Sequence, residues 1–382
     1  MAKPPARVLT RRMPSEQERL LVAATKPELF VLDSEELNAE TPAHLLDDEI
    51  TPMHRLFARN TGAMPVFDAR DVAAWTLRID GCVQQARAWT LDELKSQFAP
   101  VTRIAVLECA GNGRAFFPEP AGTILWRHGA VGCVAWTGVR LADLIASCGL
   151  TPQAVYTAHH SPDRALAGDG PAISRGVPIA KALADETIVA YAANGGAIPH
   201  LHGGPLRVIV PGYPGSASQK WIARIEIRDR EHDGERMTDL HYRLPRTPVR
   251  PGDPIDPTDF VPIIDVPVKS IITAPREGFA VPPGQPLAVR GFAWSGHTPV
   301  ATVEVSFDGG SSWRRAELGP LPDTFAWRRF SATLDKPPPC EIEIVARAND
   351  TQGRAQPLES APWNPRGYCN NMVHRVRGVI EP

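Results

Sequence analysis

Short stretches of alternating or continuous apolar residues punctuate the chain from about residue 76 to 227, and each predicts a strand. They are Thr76 to Ile79, which runs into the turn signal Asp80-Gly81, then Val101 to Leu107, Thr187 to Tyr191, Val208 to Val210 and Ile222 to Ile227. Helical spacing occurs only in brief pieces. Thr90-Leu91-Asp92-Glu93-Leu94 reads as a helix start, with Thr90 as cap and Glu93 completing a capping box. Leu141 to Cys148 is amphipathic and stops at Gly149, and Pro178 to Leu183 gives another short helix. Strands, helices and loops mixed in this way predict an α+β domain. Pro245 to Pro267 is proline-rich and reads as a linker packed along a surface. Beyond it helical periodicity stops. Val289 to Trp294, Thr302 to Phe307, Trp313 to Ala316 and Glu341 to Ala348 alternate as strands, and Asp308-Gly309-Gly310 marks a hairpin. That pattern predicts a β-sandwich of immunoglobulin type, although the Cys…Trp…Cys spacing of antibody domains is absent. The expected organisation is an arm at 1–49, an α+β domain at 50–250, a linker at 251–267 and a sandwich at 268–382.

Composition adds exclusions. A chain of 382 residues has room for two cores, and 43% hydrophobic with 22% charged residues is ordinary for a globular protein. Net charge is −2, so no overall field draws the protein to nucleic acid or an anionic membrane; any anion must be attracted by a local cluster of cations. The 39 prolines favour short connections over long helices. Six cysteines, Cys82, Cys109, Cys133, Cys148, Cys340 and Cys369, form no CxxC pair, which argues against a zinc finger or dithiol motif and for free thiols. Arg11-Arg12 is followed by polar residues through Arg19 rather than an apolar core, and no apolar run is long enough to cross a bilayer. A cytoplasmic protein without a membrane span is the expectation.

Candidate chemistry centres on Leu107-Glu108-Cys109-Ala110-Gly111-Asn112-Gly113-Arg114. A strand delivers a cysteine into a turn of small residues, whose glycines permit close backbone approach to something held at the sulfur, and an arginine follows. Taken alone, the stretch is better explained as a buried cysteine ahead of an ordinary turn, so it needs support from elsewhere in the chain. Three other segments stand out: Phe57-Ala58-Arg59-Asn60, His202-Gly203-Gly204-Pro205-Leu206-Arg207 with Lys220-Trp221, and Trp363-Asn364-Pro365-Arg366-Gly367.

In order and spacing, these four segments together resemble the sulfite oxidase family of molybdenum enzymes, from about Ile50 to the C-terminus. The resemblance implies a molybdopterin-binding domain followed by a dimerisation domain, a Mo-molybdopterin cofactor and a homodimer. Cys109 matches the protein thiolate on the metal, a soft ligand for a centre already held by sulfur. Arg59, Arg114 and Arg366 match arginines that bind a small oxyanion, offering permanently charged, bidentate donors. Trp126 matches a pocket-wall tryptophan and Tyr242 a tyrosine near the metal. Phe57, Asn60, His202, Arg207 and Lys220 match residues around the pterin and its phosphate, with Asp163 and Ser218 as further contacts.

The chain also departs from the family pattern. Gly113 stands where many members carry a second arginine, Thr61 replaces a histidine, and His128 and His241 add titratable groups beside Trp126 and Tyr242. The implied activity is oxidation of sulfite to sulfate, with electrons leaving to an external acceptor such as a cytochrome. The alternatives are nitrate reduction, favoured by Asn370-Asn371 but opposed by Arg366, chemistry on another small oxyanion or sulfur compound, and a non-catalytic binding role for the sandwich.

Overall fold

The computed structural model describes residues 25–33, 37–119, 124–168, 170–359 and 361–382. The residues behind the cytoplasmic expectation, 11–19, lie outside these. Among the described residues no helix is long and apolar enough to cross a membrane.

The first half of the chain builds two sheets. One joins Arg207–Ile209, Ile188–Ala193, Val131–Arg140 and Val101–Glu108 in that order, all antiparallel. By register Arg207 lies level with Ala190, Gly138 and Val101, while Cys109 follows the far end of Val101–Glu108. The other sheet orders Arg87–Thr90, Thr76–Gly81, Arg224–Arg228 and Tyr156–His160. Helix Leu91–Gln97 begins at the expected box: Glu93 N–H donates to Thr90 Oγ1 at 3.2 Å and Thr90 N–H to Glu93 Oε2 at 2.7 Å. Helix Leu141–Cys148 buries Leu141, Leu144, Ile145 and Cys148, the stripe its spacing dictates, and ends at Gly149 with φ 69°. Each aliphatic side chain so buried contributes about 1.5–3 kcal/mol.

From Lys269 the chain forms two further sheets. Lys269–Ala274, Leu287–Trp294, Arg328–Leu334 and Glu317–Leu318 make one; Phe279–Val281, His374–Ile380, Cys340–Asp350, Val300–Ser306 and Arg314–Arg315 make the other. Val289, Val303, Val305, Phe330, Ile344 and Val376 belong to the apolar core they share. The expected strand at Trp313 to Ala316 shrinks to the edge pair Arg314–Arg315 and the separate Glu317–Leu318.

The segment expected to be a polar arm is woven into both halves. Strand Asn38–Glu40 pairs with Phe30–Asp33, and Leu46, 1% exposed, joins a cluster with Val131, Phe292 and Trp327. Asp47 accepts from Thr273 Oγ1 at 2.6 Å and from Arg329 at 3.0 Å, and pairs with Arg290 at 2.7 Å. The proline-rich linker is likewise tied down: Phe260–Pro262 pairs with Arg243–Pro245, and Ile263 N–H donates to the Tyr242 carbonyl at 2.9 Å.

Candidate active site

A cleft opens beside Cys109, where strand Val101–Glu108 ends. Cys109 lines it and is half-buried; its thiol is free, as are those of the other five cysteines. Its turn is fixed by its own backbone, with Cys109 N–H to the Ala130 carbonyl at 2.9 Å and Asn112 N–H to the Cys109 carbonyl at 2.9 Å. The second sheet domain reaches in as well, with Cys369 N–H to the Ala110 carbonyl at 2.7 Å and Asn370 Nδ2 to the Gly113 carbonyl at 2.9 Å.

Gly113 accounts for one departure from the family pattern. Its φ is +91°, and a Cβ there would lie 3.0 Å from the Asn370 carbonyl oxygen. Gly113→Ala is expected to destabilise the protein by about 1–2 kcal/mol, the cost of a left-handed L-residue, checked by denaturant unfolding. An unchanged midpoint would mean that the turn adapts freely.

Opposite the sulfur stands a group of cations. Lys220 Nζ donates to Asn60 Oδ1 and to the Leu201 carbonyl, each at 2.7 Å. Arg207 Nε donates to the Ser218 carbonyl at 3.0 Å and its Nη1 to the His202 carbonyl at 2.9 Å. His202 is 2% exposed, and its Nε2 has no hydrogen-bond partner. Gly203 allows this crowding, since a Cβ on it would sit 2.6 Å from Lys220 Cβ. Arg59 enters from the neighbouring segment, with Nη1 3.3 Å from Asn38 Oδ1. Phe57, Thr61 and Asp163 complete this wall. Burial raises the pKa of Asp163, which accepts a hydrogen bond from Ser161. Burial, followed by neighbouring Arg207, holds Lys220 well below the ordinary lysine value; burial lowers Arg207 to about 9. Burial, then Lys26 and Lys220, depresses His202.

Sequence reasoning missed Lys26. It sits in a stretch without periodicity, yet it is 4% exposed and donates to the Met53 and Leu56 carbonyls at 2.6 Å each. Burial lowers its pKa to about 7. So many desolvated cations beside one carboxylate, with an unpartnered imidazole nitrogen among them, suit an anionic group bound in the cleft. The donor set therefore fits a phosphate-bearing cofactor. Among the described residues no three His, Cys, Asp or Glu side chains converge as a metal site. A metal at Cys109 would thus take most of its ligands from the cofactor, and a single soft thiolate suits that arrangement.

Three expected residues stand one layer outside this cleft. Arg114 is buried, with Nε donating to the Arg366 carbonyl and Nη1 to the Ile124 carbonyl, each at 2.9 Å. Arg366 turns its Nη2 to His241 Nε2 at 3.0 Å. Trp126 is fully buried, edge-on to Phe57 with ring centres 6.2 Å apart, so it backs the wall rather than forming it. Tyr242 does line the cleft, and it forms the centre of a stack across the domain boundary. Arg175 lies 4.5 Å over its ring, Tyr368 stacks on it at 5.4 Å, and Arg114 covers Tyr368 at 5.4 Å. His128 packs between Phe116 and His374, away from the cleft, and burial keeps its pKa low. Burial and then Arg366 lower His241, which suits it to accept from that guanidinium.

Fold and site define an oxidoreductase built to hold a molybdopterin. Residues 62–236 match the oxidoreductase molybdopterin binding domain and 261–380 the Mo-co oxidoreductase dimerisation domain. The chain belongs to the sulfite oxidase family. It is 34% identical to the sulfite oxidase of Gallus gallus over 91% of its own length and 77% of that protein, and 31% identical to that of Arabidopsis thaliana over 92% and 93%. Mammalian relatives are longer, and the chain spans 66% of them. The sulfane dehydrogenase SoxCD of Paracoccus pantotrophus superposes with a TM-score of 0.76 at 25% identity, covering 99% of this chain and 93% of that one.

Proposed function

We propose that the chain oxidises sulfite to sulfate and passes the electrons to an external acceptor, a cytochrome being the class expected. The observation that carries this reading is the meeting, in one cleft, of a free cysteine with a cation cluster that lacks matching carboxylates. When bound, the molybdenum cofactor supplies oxygen-atom transfer and accepts the two electrons released. The protein's residues do the rest. Cys109 is the thiolate on the metal. His202, Arg207 and Lys220 hold the phosphate, and Phe57, Asn60, Asp163 and Ser218 surround the pterin. His202 Nε2, desolvated and unpartnered, gains a hydrogen bond when the anion arrives.

Arg59, with a charge that no physiological pH removes, binds and orients the oxyanion from the cleft wall. Arg114 and Arg366 add positive charge from behind the wall, where backbone carbonyls and His241 keep them in place. Tyr242 presents its ring to the substrate and is kept in position by the stack around it, and Trp126 backs Phe57. Residues 50–250 form the catalytic unit, 251–267 the linker, and 268–382 an immunoglobulin-like sandwich through which two copies pair.

Sulfite-dependent ferricyanide reduction and viologen-driven nitrate reduction, run on one cofactor-loaded preparation, test the reading. Sulfite turnover should exceed nitrate turnover by orders of magnitude. Nitrate reduction as the faster reaction would reverse the assignment.

A further inference from the structure

Side chains alternate along strand Val101–Glu108, so Glu108 and the cysteine after it point apart. Cys109 faces the cleft. Glu108 is 1% exposed and faces the second domain. Its Oε1 accepts from Lys269 Nζ at 2.5 Å and from Asn112 Nδ2 at 3.0 Å; its Oε2 accepts from Trp294 Nε1 at 2.8 Å. Lys269, itself buried, gives a second proton to the Asn112 carbonyl at 3.0 Å. Lys269 and Trp294 oppose each other on paired strands, so one rung of the second domain's sheet supplies both donors. Glu108 and Asn112 bracket the cysteine in sequence, and a single ammonium holds the two.

Domain cohesion alone does not call for this arrangement. The neighbouring contact of Leu46, Val131, Phe292 and Trp327 joins the halves through apolar surface, and a buried ion pair is no better at that than an apolar pair. A charge-assisted hydrogen bond differs in having direction. Direction matters where a metal ligand must stand at a fixed place, and groups behind a ligand govern its affinity and reactivity.

We propose that Lys269 is a positioning residue for the Cys109 sulfur, acting through Glu108 and Asn112. The inference rests on Cys109 being the metal ligand. It makes the second domain part of the metal site's support, beyond any role in pairing two copies.

Lys269→Met in the full chain tests it. Trp294→Phe, which removes one donor to Glu108 but keeps the ion pair, carries the test if the first variant does not fold. In cofactor-free protein, labelling of the Cys109 thiol is followed by peptide mass spectrometry, with the exposed Cys340 as internal reference. In loaded protein, molybdenum content and the metal–thiolate absorption are read. The Cys109-to-Cys340 labelling ratio is expected to change about tenfold, molybdenum retention to fall by about tenfold or more, and the absorption to shift. Unchanged labelling and unchanged absorption in a folded Lys269→Met or Trp294→Phe protein would overturn the proposal. Labelling needs neither sulfite nor an acceptor, so an error about the substrate leaves this result intact. Full activity in Cys109→Ser would instead remove the ligand reading on which the proposal stands.

Discussion

Cys109→Ser is expected to lose sulfite turnover entirely while the protein stays folded. The sulfur itself makes none of the bonds that hold the turn. Those run from backbone N–H groups at Cys109, Asn112 and Cys369, and from the Asn370 side chain. A hydroxyl of similar size leaves them in place, so the unfolding midpoint should move little. What changes is the donor atom. A hydroxyl is a hard, weakly acidic ligand, poorly suited to a centre held by sulfur. The measurement is ferricyanide reduction at saturating sulfite, with circular dichroism to confirm the fold and metal analysis to separate loss of the metal from loss of reactivity. A serine protein with wild-type turnover would dismiss Cys109 as the ligand.

Lys220→Met is expected to weaken cofactor retention by about a hundredfold, since breaking a buried charge pair costs about 3 kcal/mol and each 1.4 kcal/mol is tenfold. Gel filtration followed by pterin fluorescence and molybdenum analysis gives the occupancy. Lys220 in this wall and Lys26 behind it also impose a pH signature on the cofactor-free protein. Lys26 titrates near 7 in the folded chain, from an ordinary value of 10.5, because burial penalises its charge. Between those two values the unfolded chain binds more protons than the folded one, so stability rises with pH across that window. Below about 7 both forms are protonated and the cost of the buried charge is fully felt. Burial and Arg207 shift Lys220 in the same direction, so its contribution has the same sign. A bound phosphate returns a counter-charge and flattens the slope. Denaturant midpoints at pH 7 and 9, with and without cofactor, decide the matter; a level profile in the cofactor-free protein would mean that the cations are already compensated.

Much of this was legible in the sequence where one residue governs its own surroundings. Thr90 with Glu93, Gly149 after an amphipathic run and Gly309-Gly310 in a hairpin act over a few positions, and each recurs in the fold. The wall residues near Cys109 came from motif order: Arg59, Asn60, His202, Arg207 and Lys220 all line one cleft. Residues whose role depends on distant partners were hidden. Lys26 looks like any solvated lysine until its ammonium meets carbonyls at 53 and 56. Strand Lys269–Ala274 is buried along nearly its whole length, so it lacks the in–out alternation by which a half-buried strand is read. Arg114 and Arg366 were expected at the substrate, and the carbonyl and imidazole partners that draw them back lie far away in sequence.

The turn that presents the sulfur gets its last restraints from Cys369 and Asn370, the latter through a bond that spans 257 positions of the chain. A ribosome making this chain finishes the sheet behind Cys109 long before it makes those two residues. The turn around Cys109 is therefore complete only once the second domain has been made, so any group that requires its final form binds after that point.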